Sequence, residues 1–179
     1  ICTLNGGEPQ IRRAEGKLIN LEKILLQQPA QGSRGIGHTR WATHGGVTDQ
    51  NAHPHLDCSG RIAIVHNGIV ENYREIKAKL IQAGHTFRSE TDTEVIAHLI
   101  EAKTEDLGFR QAVFAAFRKI VGSNAIVAVD ANSNTLVACR DGSPLVVGLA
   151  KDSHYLASDV AALLPHTKQV IFLQDNQGV

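Results

Sequence analysis

Charge of one sign never accumulates in this chain. Among 179 residues, eighteen Lys and Arg balance eighteen Asp and Glu, and no run of like charge occurs. A phosphate-tracking surface needs such a run, so nucleic acid is excluded as a partner. Long apolar runs are missing too. No stretch approaches the roughly 20 residues that cross a bilayer, so no membrane partner is expected. Ile1 to Gly7 lacks the charged start and apolar centre of a signal peptide. Cysteine is scarce: Cys2, Cys58 and Cys139 are odd in number and widely spaced. That fits neither a disulfide framework nor paired zinc ligands, and it implies a reducing, cytoplasmic setting. Repeats, low-complexity tracts and linkers are likewise absent. With 42% hydrophobic and 20% charged residues, the composition is that of one ordinary globular domain over residues 1–179.

Hydrophobic spacing orders the elements. Ile1 to Asn5 and Gln10 to Arg13, separated by Gly6-Gly7, read as a hairpin, and Leu18, Leu21 and Leu25 recur at helical spacing before Pro29. Ile36 to Thr43 and Arg61 to His66 read as strands, the second apolar at successive positions and so buried on both faces. Val70 to Ala83 reads as a helix with Tyr73, Ile76 and Leu80 on one face and Gly84 at its end. Thr91-Asp92-Thr93-Glu94 has the form of a capping box and opens a second helix with Val95, Ile96 and Leu99 as its stripe. A third helix covers Phe109 to Ile120 with Val113, Phe114 and Phe117 inward. Four strands follow, over Asn124 to Asp130, Thr135 to Arg140, Leu145 to Leu149 and His154 to Ser158, joined by turn-rich stretches into an antiparallel meander. Ser158 is placed to cap a short helix ending at Pro165, and Gln169 to Leu173 makes a last strand. Helices grouped between sets of antiparallel strands give an α/β layered (α+β) domain.

The chemistry-bearing residues concentrate in His38-Thr39-Arg40-Trp41-Ala42-Thr43-His44-Gly45-Gly46, which holds the only tryptophan, an arginine, two histidines and two threonines in nine residues. Asn51-Ala52-His53-Pro54-His55, His66-Asn67-Gly68 and Ser89-Glu90-Thr91-Asp92-Thr93-Glu94 follow in order. Together they resemble the glutaminase domains of the glutamine–fructose-6-phosphate aminotransferases, which are class II glutamine amidotransferases, over nearly the whole chain. The resemblance implies a four-layer αββα N-terminal-nucleophile hydrolase fold: two antiparallel sheets face to face with helices outside. It also implies hydrolysis of L-glutamine to L-glutamate and ammonia for glucosamine 6-phosphate synthesis, with no cofactor and no metal. Sugar isomerase domains that bind fructose 6-phosphate would follow in the same protein, which would be a homodimer.

Arginine can grip a carboxylate through two parallel hydrogen bonds and aspartate can accept from an ammonium, so Arg40 and Asp92 suit the two ends of a free amino acid. The resemblance assigns them those ends of glutamine, with the Arg40 to Gly46 loop closing above. Arg40 as a surface arginine and Asp92 as a helix-dipole partner are the ordinary readings. The Asn67 amide and the Gly68 N–H are implied as the oxyanion hole, against the ordinary reading of Asn-Gly as a hairpin turn. Thr43 and His44 line the pocket or merely satisfy the loop. Trp41 contacts substrate or anchors the loop by packing, and His53 and His55 shape the loop behind.

The family's nucleophile is an N-terminal cysteine followed by glycine, whose own α-amino group is the base. Cys2 does not match it, because Thr3 follows and its interval to Arg40 is too short. The chain is therefore expected to begin late, without the first strand, first helix and nucleophile of the fold, and to be inactive as it stands. Exposed sheet edges and poor stability would accompany that loss. Two alternatives stand beside this reading. One is a glutamine-binding or regulatory module without catalysis. The other is a metal-dependent hydrolase built on the His-x-His-x-Asp spacing of His53, His55 and Asp57, with Cys58 where a further histidine is usual.

Overall fold

The computed structural model describes residues 1–179. Its elements in chain order are β1 (Cys2–Leu4), β2 (Gln10–Ile11), α1 (Leu18–Gln27), β3 (Arg34–Ile36), β4 (His55–Leu56), β5 (Ile62–Gly68), α2 (Tyr73–Gln82), α3 (Glu94–Leu107) and α4 (Phe109–Phe117). Then come β6 (Asn124–Asp130), β7 (Leu136–Asp141), β8 (Val146–Leu149), β9 (His154–Ala157), β10 (Gln169–Phe172) and β11 (Gln177–Gly178). Three antiparallel sheets result, in the orders β2-β1-β3, β10-β8-β9 and β11-β7-β6-β5-β4.

Alternation along β5 and β6 sets the layers. Side chains at successive strand positions face opposite ways. Ile62, Ile64, Ile126, Ala128, Val137 and Cys139 therefore point to one side of the five-stranded sheet, where they pack with Val95, Ile96, Ile100, Ala112 and Val113 of α3 and α4. Ala63, Val65 and Val129 point to the other side and meet Cys2, Leu4 and Ile36 of the first small sheet. Ala125 and Ala138, on that same side, meet Leu145, Val147 and Leu173 around the second small sheet. Burying one such Ile or Val side chain stabilises the fold by about 1.5–3 kcal/mol. The continuous burial of Ile62 to His66 is the two-faced strand that the sequence predicted.

Several boundaries differ from the sequence reading. The strand expected over Ile36 to Thr43 stops at Ile36, and the rest is loop, because its polar residues face a cleft instead of a neighbouring strand. The meander is two hairpins in different sheets: β7 pairs with β6, whereas β8 pairs with β9 and β10. The Asp141-Gly142-Ser143-Pro144 turn carries the chain across the layers, which local patterns cannot show. Helix α3 begins at Glu94, and no capping box forms. The Glu94 carboxylate instead accepts from the N–H groups of Arg88 and Ser89 and from the Ser89 hydroxyl. Asp159, not Ser158, caps the 3-10 turn Val160–Ala162, accepting from the Ala161 N–H. Helix α1 buries none of its residues, so only one helical layer is firmly packed. No helix is long and apolar enough to cross a membrane.

Candidate functional site

A cleft of about 490 Å³ opens where the loop after β3, the end of β5 and the turn before α3 meet. Arg40, Trp41, Thr43, His44, Asn67, Gly68 and Asp92 all line it. Three segments far apart in sequence are thus brought to one place. His38, His53, His66, Thr91, Thr93 and Ser123 complete its walls.

The loop is held by its own backbone. Arg40 Nη1 donates to the Gly46 carbonyl at 2.9 Å, and Nη2 donates to the carbonyls of His44 and Gly45. Its Nε–H is not committed to any of these. Buried Asn51 ties the loop to the opposite wall: its amide donates to the Gly46 carbonyl at 3.1 Å and to Glu90 Oε2 at 3.2 Å, and it accepts from the Glu90 N–H at 3.0 Å. Gly45 sits at φ +76°, and a Cβ there would lie 2.7 Å from the Asn51 amide nitrogen. Only glycine fits that turn. Trp41 is 89% exposed, so it anchors nothing by packing and projects at the loop's rim. Asn51 and Glu90 stand in two of the motifs that carry the resemblance, but nothing in the sequence shows that they bond to each other.

Asn67 and Gly68 end β5 itself. They form no hairpin turn: Asn67 faces Ala125 and Gly68 faces Asn124 across the ladder. Asn67 Oδ1 lies 2.8 Å from His38 Nε2. When His38 carries its proton on Nε2, the carboxamide oxygen is used and the amide N–H₂ group is left to point elsewhere. Gly68 has φ +135°, and a Cβ on it would stand 2.1 Å from the Ser123 carbonyl oxygen. The backbone reaches this position only because the side chain is missing.

Asp92 is 2% exposed. Its Oδ2 accepts from the Val70 N–H at 2.7 Å, and its Oδ1 lies 3.7 Å from His44 Nδ1. The His44 ring stands edge-on to Tyr73, with centroids 5.0 Å apart. Arg40 and Asp92 thus place a cation and a carboxylate on two walls of one cleft.

Beneath lies a layer of imidazoles. The rings of His38 and His53 are 4.2 Å apart, and those of His53 and His55 are 4.9 Å apart. His66 bridges Thr93 Oγ1 at 2.9 Å and Asn124 Oδ1 at 2.8 Å. Burial pushes all four below the ordinary histidine range, His55 to about 3. They are neutral donors and acceptors at pH 7.

The His-x-His-x-Asp spacing does not make a metal site. His55 Nε2 is 3.1 Å from Thr91 Oγ1, and Asp57 is spent within its turn, accepting from the Ile62 N–H at 2.9 Å and from Ser59 Oγ. His53 faces His38 instead. No cysteine lines the cleft. Cys2 is fully buried against Leu4 and Ile36, and burial pushes its thiol up to about 11. Beside Asn67, however, a second groove of about 450 Å³ opens between the two small sheets, lined by Val65, Val127, Leu18, Leu21 and Leu156.

The profile of the glutamine amidotransferase domain family matches residues 38–165. The chain is 51% identical over 170 residues to glutamine–fructose-6-phosphate aminotransferase (isomerizing) of Thermus thermophilus, covering 95% of this chain and 28% of that protein. Its likeness to the enzyme of the same name in Aquifex aeolicus is 46% over 178 residues, covering 99% and 30%. The chain thus spans under a third of the length of these curated relatives. Among solved structures, it resembles glutamine phosphoribosylpyrophosphate amidotransferase from B. subtilis with a TM-score of 0.74 at 23% identity, over 90% of this chain and 35% of that one. At that identity the likeness concerns the fold, which is the N-terminal-nucleophile hydrolase arrangement of antiparallel sheets expected from the sequence.

Proposed function

The chain belongs to the glutamine amidotransferase domain family, and from that premise we propose that its cleft binds L-glutamine and is the site of hydrolysis to L-glutamate and ammonia. The observation that carries this reading is the convergence of Arg40, Asp92, Asn67 and Gly68 on one cleft from three separate segments. Asp92 accepts from the α-ammonium of glutamine, and Arg40 takes the α-carboxylate with the N–H groups its loop carbonyls leave free. Thr43 and His44 border that end. The side-chain amide then points toward Asn67 and Gly68, whose N–H groups stabilise the charge that develops on the amide oxygen. Such a donor is worth about 3–4 kcal/mol of barrier.

Chemistry needs a thiol in the cleft. The groove beside Asn67 gives an N-terminal cysteine of the family type room to arrive, with its thiolate attacking the amide carbon and its α-amino group moving the proton to departing ammonia. Water then hydrolyses the thioester. Because no cysteine of these 179 residues reaches the cleft, the chain by itself binds glutamine without turning it over.

In the protein that carries this chain, the ammonia goes to fructose 6-phosphate held by sugar isomerase domains, giving glucosamine 6-phosphate in a cytoplasmic homodimer. The names and the identities of the relatives support the sugar acceptor, whereas the cytoplasmic setting and the homodimer rest on the resemblance read from the sequence. The test supplies amide-labelled glutamine and fructose 6-phosphate to that protein. Label in glucosamine 6-phosphate is the expected result; glutamate release without any sugar amination removes the acceptor assignment, and no glutamine binding by titration calorimetry removes the reading altogether.

A further inference from the structure

The sequence reading set zinc aside because the cysteines are unpaired and far apart, yet folding collects a different set of donors behind the cleft. Cys58 lies in the turn between β4 and β5, His85 in the loop after α2, and His98 and Glu101 one turn apart on α3. One ligand atom from each of these four residues lies within 4.8 Å of every other. The Cys58 Sγ is 3.7 Å from His85 Nδ1 and 3.5 Å from His98 Nδ1. Glu101 Oε2 is 2.8 Å from His85 Nδ1 and 3.1 Å from His98 Nδ1.

Those distances are close to the edges of a zinc tetrahedron. Zinc sits about 2.3 Å from sulfur and about 2.0–2.1 Å from nitrogen and oxygen, which at the tetrahedral angle separates sulfur from nitrogen by about 3.6 Å and nitrogen from oxygen by about 3.3 Å. The two sulfur–nitrogen edges already match, the two oxygen–nitrogen edges need only a few tenths of an ångström, and the remaining sulfur–oxygen and nitrogen–nitrogen pairs lie within 4.8 Å, so that they close by a small side-chain adjustment. We propose that Cys58, His85, His98 and Glu101 form a structural site for one Zn²⁺ ion.

Outer contacts fit the same purpose. The Thr86 N–H points at Sγ from 3.4 Å, as a thiolate ligand requires. Zinc on His98 Nδ1 fixes the ring proton on Nε2, which faces Glu94 Oε1 at 3.6 Å. A carboxylate behind a ligating imidazole is the usual support for such a ligand. That Nε2 has no hydrogen-bond partner otherwise. Four protein ligands leave no open position, which makes the site structural and not hydrolytic. Zinc takes the Cys58 thiolate, both imidazoles neutral at the ligating nitrogen and Glu101 as the carboxylate, so binding releases protons. The ion ties the β4–β5 turn to the loop that runs on through Ser89 to Asp92.

The experiment takes the protein that carries this chain, counts zinc by elemental mass spectrometry, removes it with a chelator and titrates with Co²⁺. About one zinc per chain, and a tetrahedral cobalt spectrum with thiolate-to-cobalt charge transfer, are expected. Cys58→Ala abolishes the charge-transfer band and weakens zinc binding by more than about 100-fold, beyond what loss of an outer-shell partner costs. His85→Gln weakens it as well, and chelation lowers Tm in the parent but not in Cys58→Ala. The parent's cobalt spectrum decides even where a variant folds poorly. Substoichiometric zinc together with a cobalt spectrum lacking sulfur character overturns the proposal, whatever the glutamine assays show.

Discussion

Replacing Asn67 separates its part in catalysis from its part in the fold. Its oxygen lies 2.8 Å from His38 Nε2, and its N–H₂ group is the proposed oxyanion donor. Asn67→Asp keeps the acceptor for His38 at the same place and the same volume. It removes the donor, which costs about 2.7–4 kcal/mol, or 10²–10³ in kcat. It also sets a negative charge where a second one develops; two unit charges about 4 Å apart at an effective dielectric near 20 repel by about 4 kcal/mol, up to a further 10³. Asn67→Ala loses only the donor term in the chemistry, and strands His38 Nε2. The expected order of kcat for glutamate release is therefore parent, then Ala, then Asp, with KM for glutamine changed by less than about threefold because neither charged end of the substrate is touched. Stability follows another order, with Asp nearer the parent than Ala. The assay is steady-state glutamate production by the protein that carries this chain, with Tm measured alongside. An Asn67→Ala variant that keeps its fold and retains kcat within about fivefold refutes the oxyanion assignment.

Asp92→Asn keeps an acceptor for the Val70 N–H but loses the charge-assisted bond to the α-ammonium, so glutamine Kd by calorimetry should rise about 10- to 100-fold; an unchanged Kd argues against this end of the site. Gly68→Ala places a Cβ 2.1 Å from the Ser123 carbonyl at φ +135°, a cost above about 3 kcal/mol that should lower Tm by roughly 6–12 °C, and a silent substitution would show that the strand end yields. Trp41 is the only tryptophan of the chain and is 89% exposed, so saturating glutamine should shift its emission to the blue as the loop closes, with Trp41→Phe as the blank; emission indifferent to ligand counts against closure. The folded pKa values of His38, His53, His55 and His66 lie below the unfolded value near 6.5. The unfolded chain therefore binds more protons below pH 6.5, and stability falls as pH drops through that value, by on the order of 1 kcal/mol per histidine per pH unit. Urea midpoints that do not fall between pH 7 and pH 5.5 would place these rings in water.

Local patterns carried the elements whose burial is periodic. β6 spans Asn124–Asp130 as the sequence predicted, buried at nearly every position, and α4 begins at Phe109. They failed where a polar atom has a distant partner. Glu94 looks like the third position of a capping box, yet its carboxylate serves Arg88 and Ser89, because the chain turns back on itself before α3. Ile36 to Thr43 looks like one strand, yet it splits at Ile36, since Arg40 finds the carbonyls of residues 44 to 46 and not a neighbouring strand. The loop residues of the cleft were legible as unusual chemistry in nine consecutive positions, and Asn67, Gly68 and Asp92 through two further short motifs. The part Asn51 plays was not, because it lies in a contact to Glu90 thirty-nine residues away. Cys58 was invisible for the same reason: its donor neighbours come from a loop and a helix that only the fold brings to it.

The neutral imidazole layer explains how a cleft with so many basic side chains can suit a zwitterion. Charged, the rings of His38, His53 and His66 would surround the floor with cations and repel an α-ammonium approaching Asp92. Burial prevents this, since stacked rings 4.2 and 4.9 Å apart can be protonated together only at a cost in both desolvation and mutual repulsion. The rings remain as hydrogen-bonding scaffold, His38 orienting Asn67 and His66 joining Thr93 to Asn124. Arg40 and Asp92 then supply the pair of opposite charges for the two ends of an amino acid, with Glu71 also on the lining. A free amino acid presents the complementary pair of charges, and its orientation between them decides which end of the molecule faces Asn67 and Gly68. Acid therefore harms the fold before it reaches the cleft: stability falls as pH drops through about 6.5, whereas native His38, held lower by burial, takes up its proton only in stronger acid and then adds a cation to the wall from which the side-chain amide must be reached.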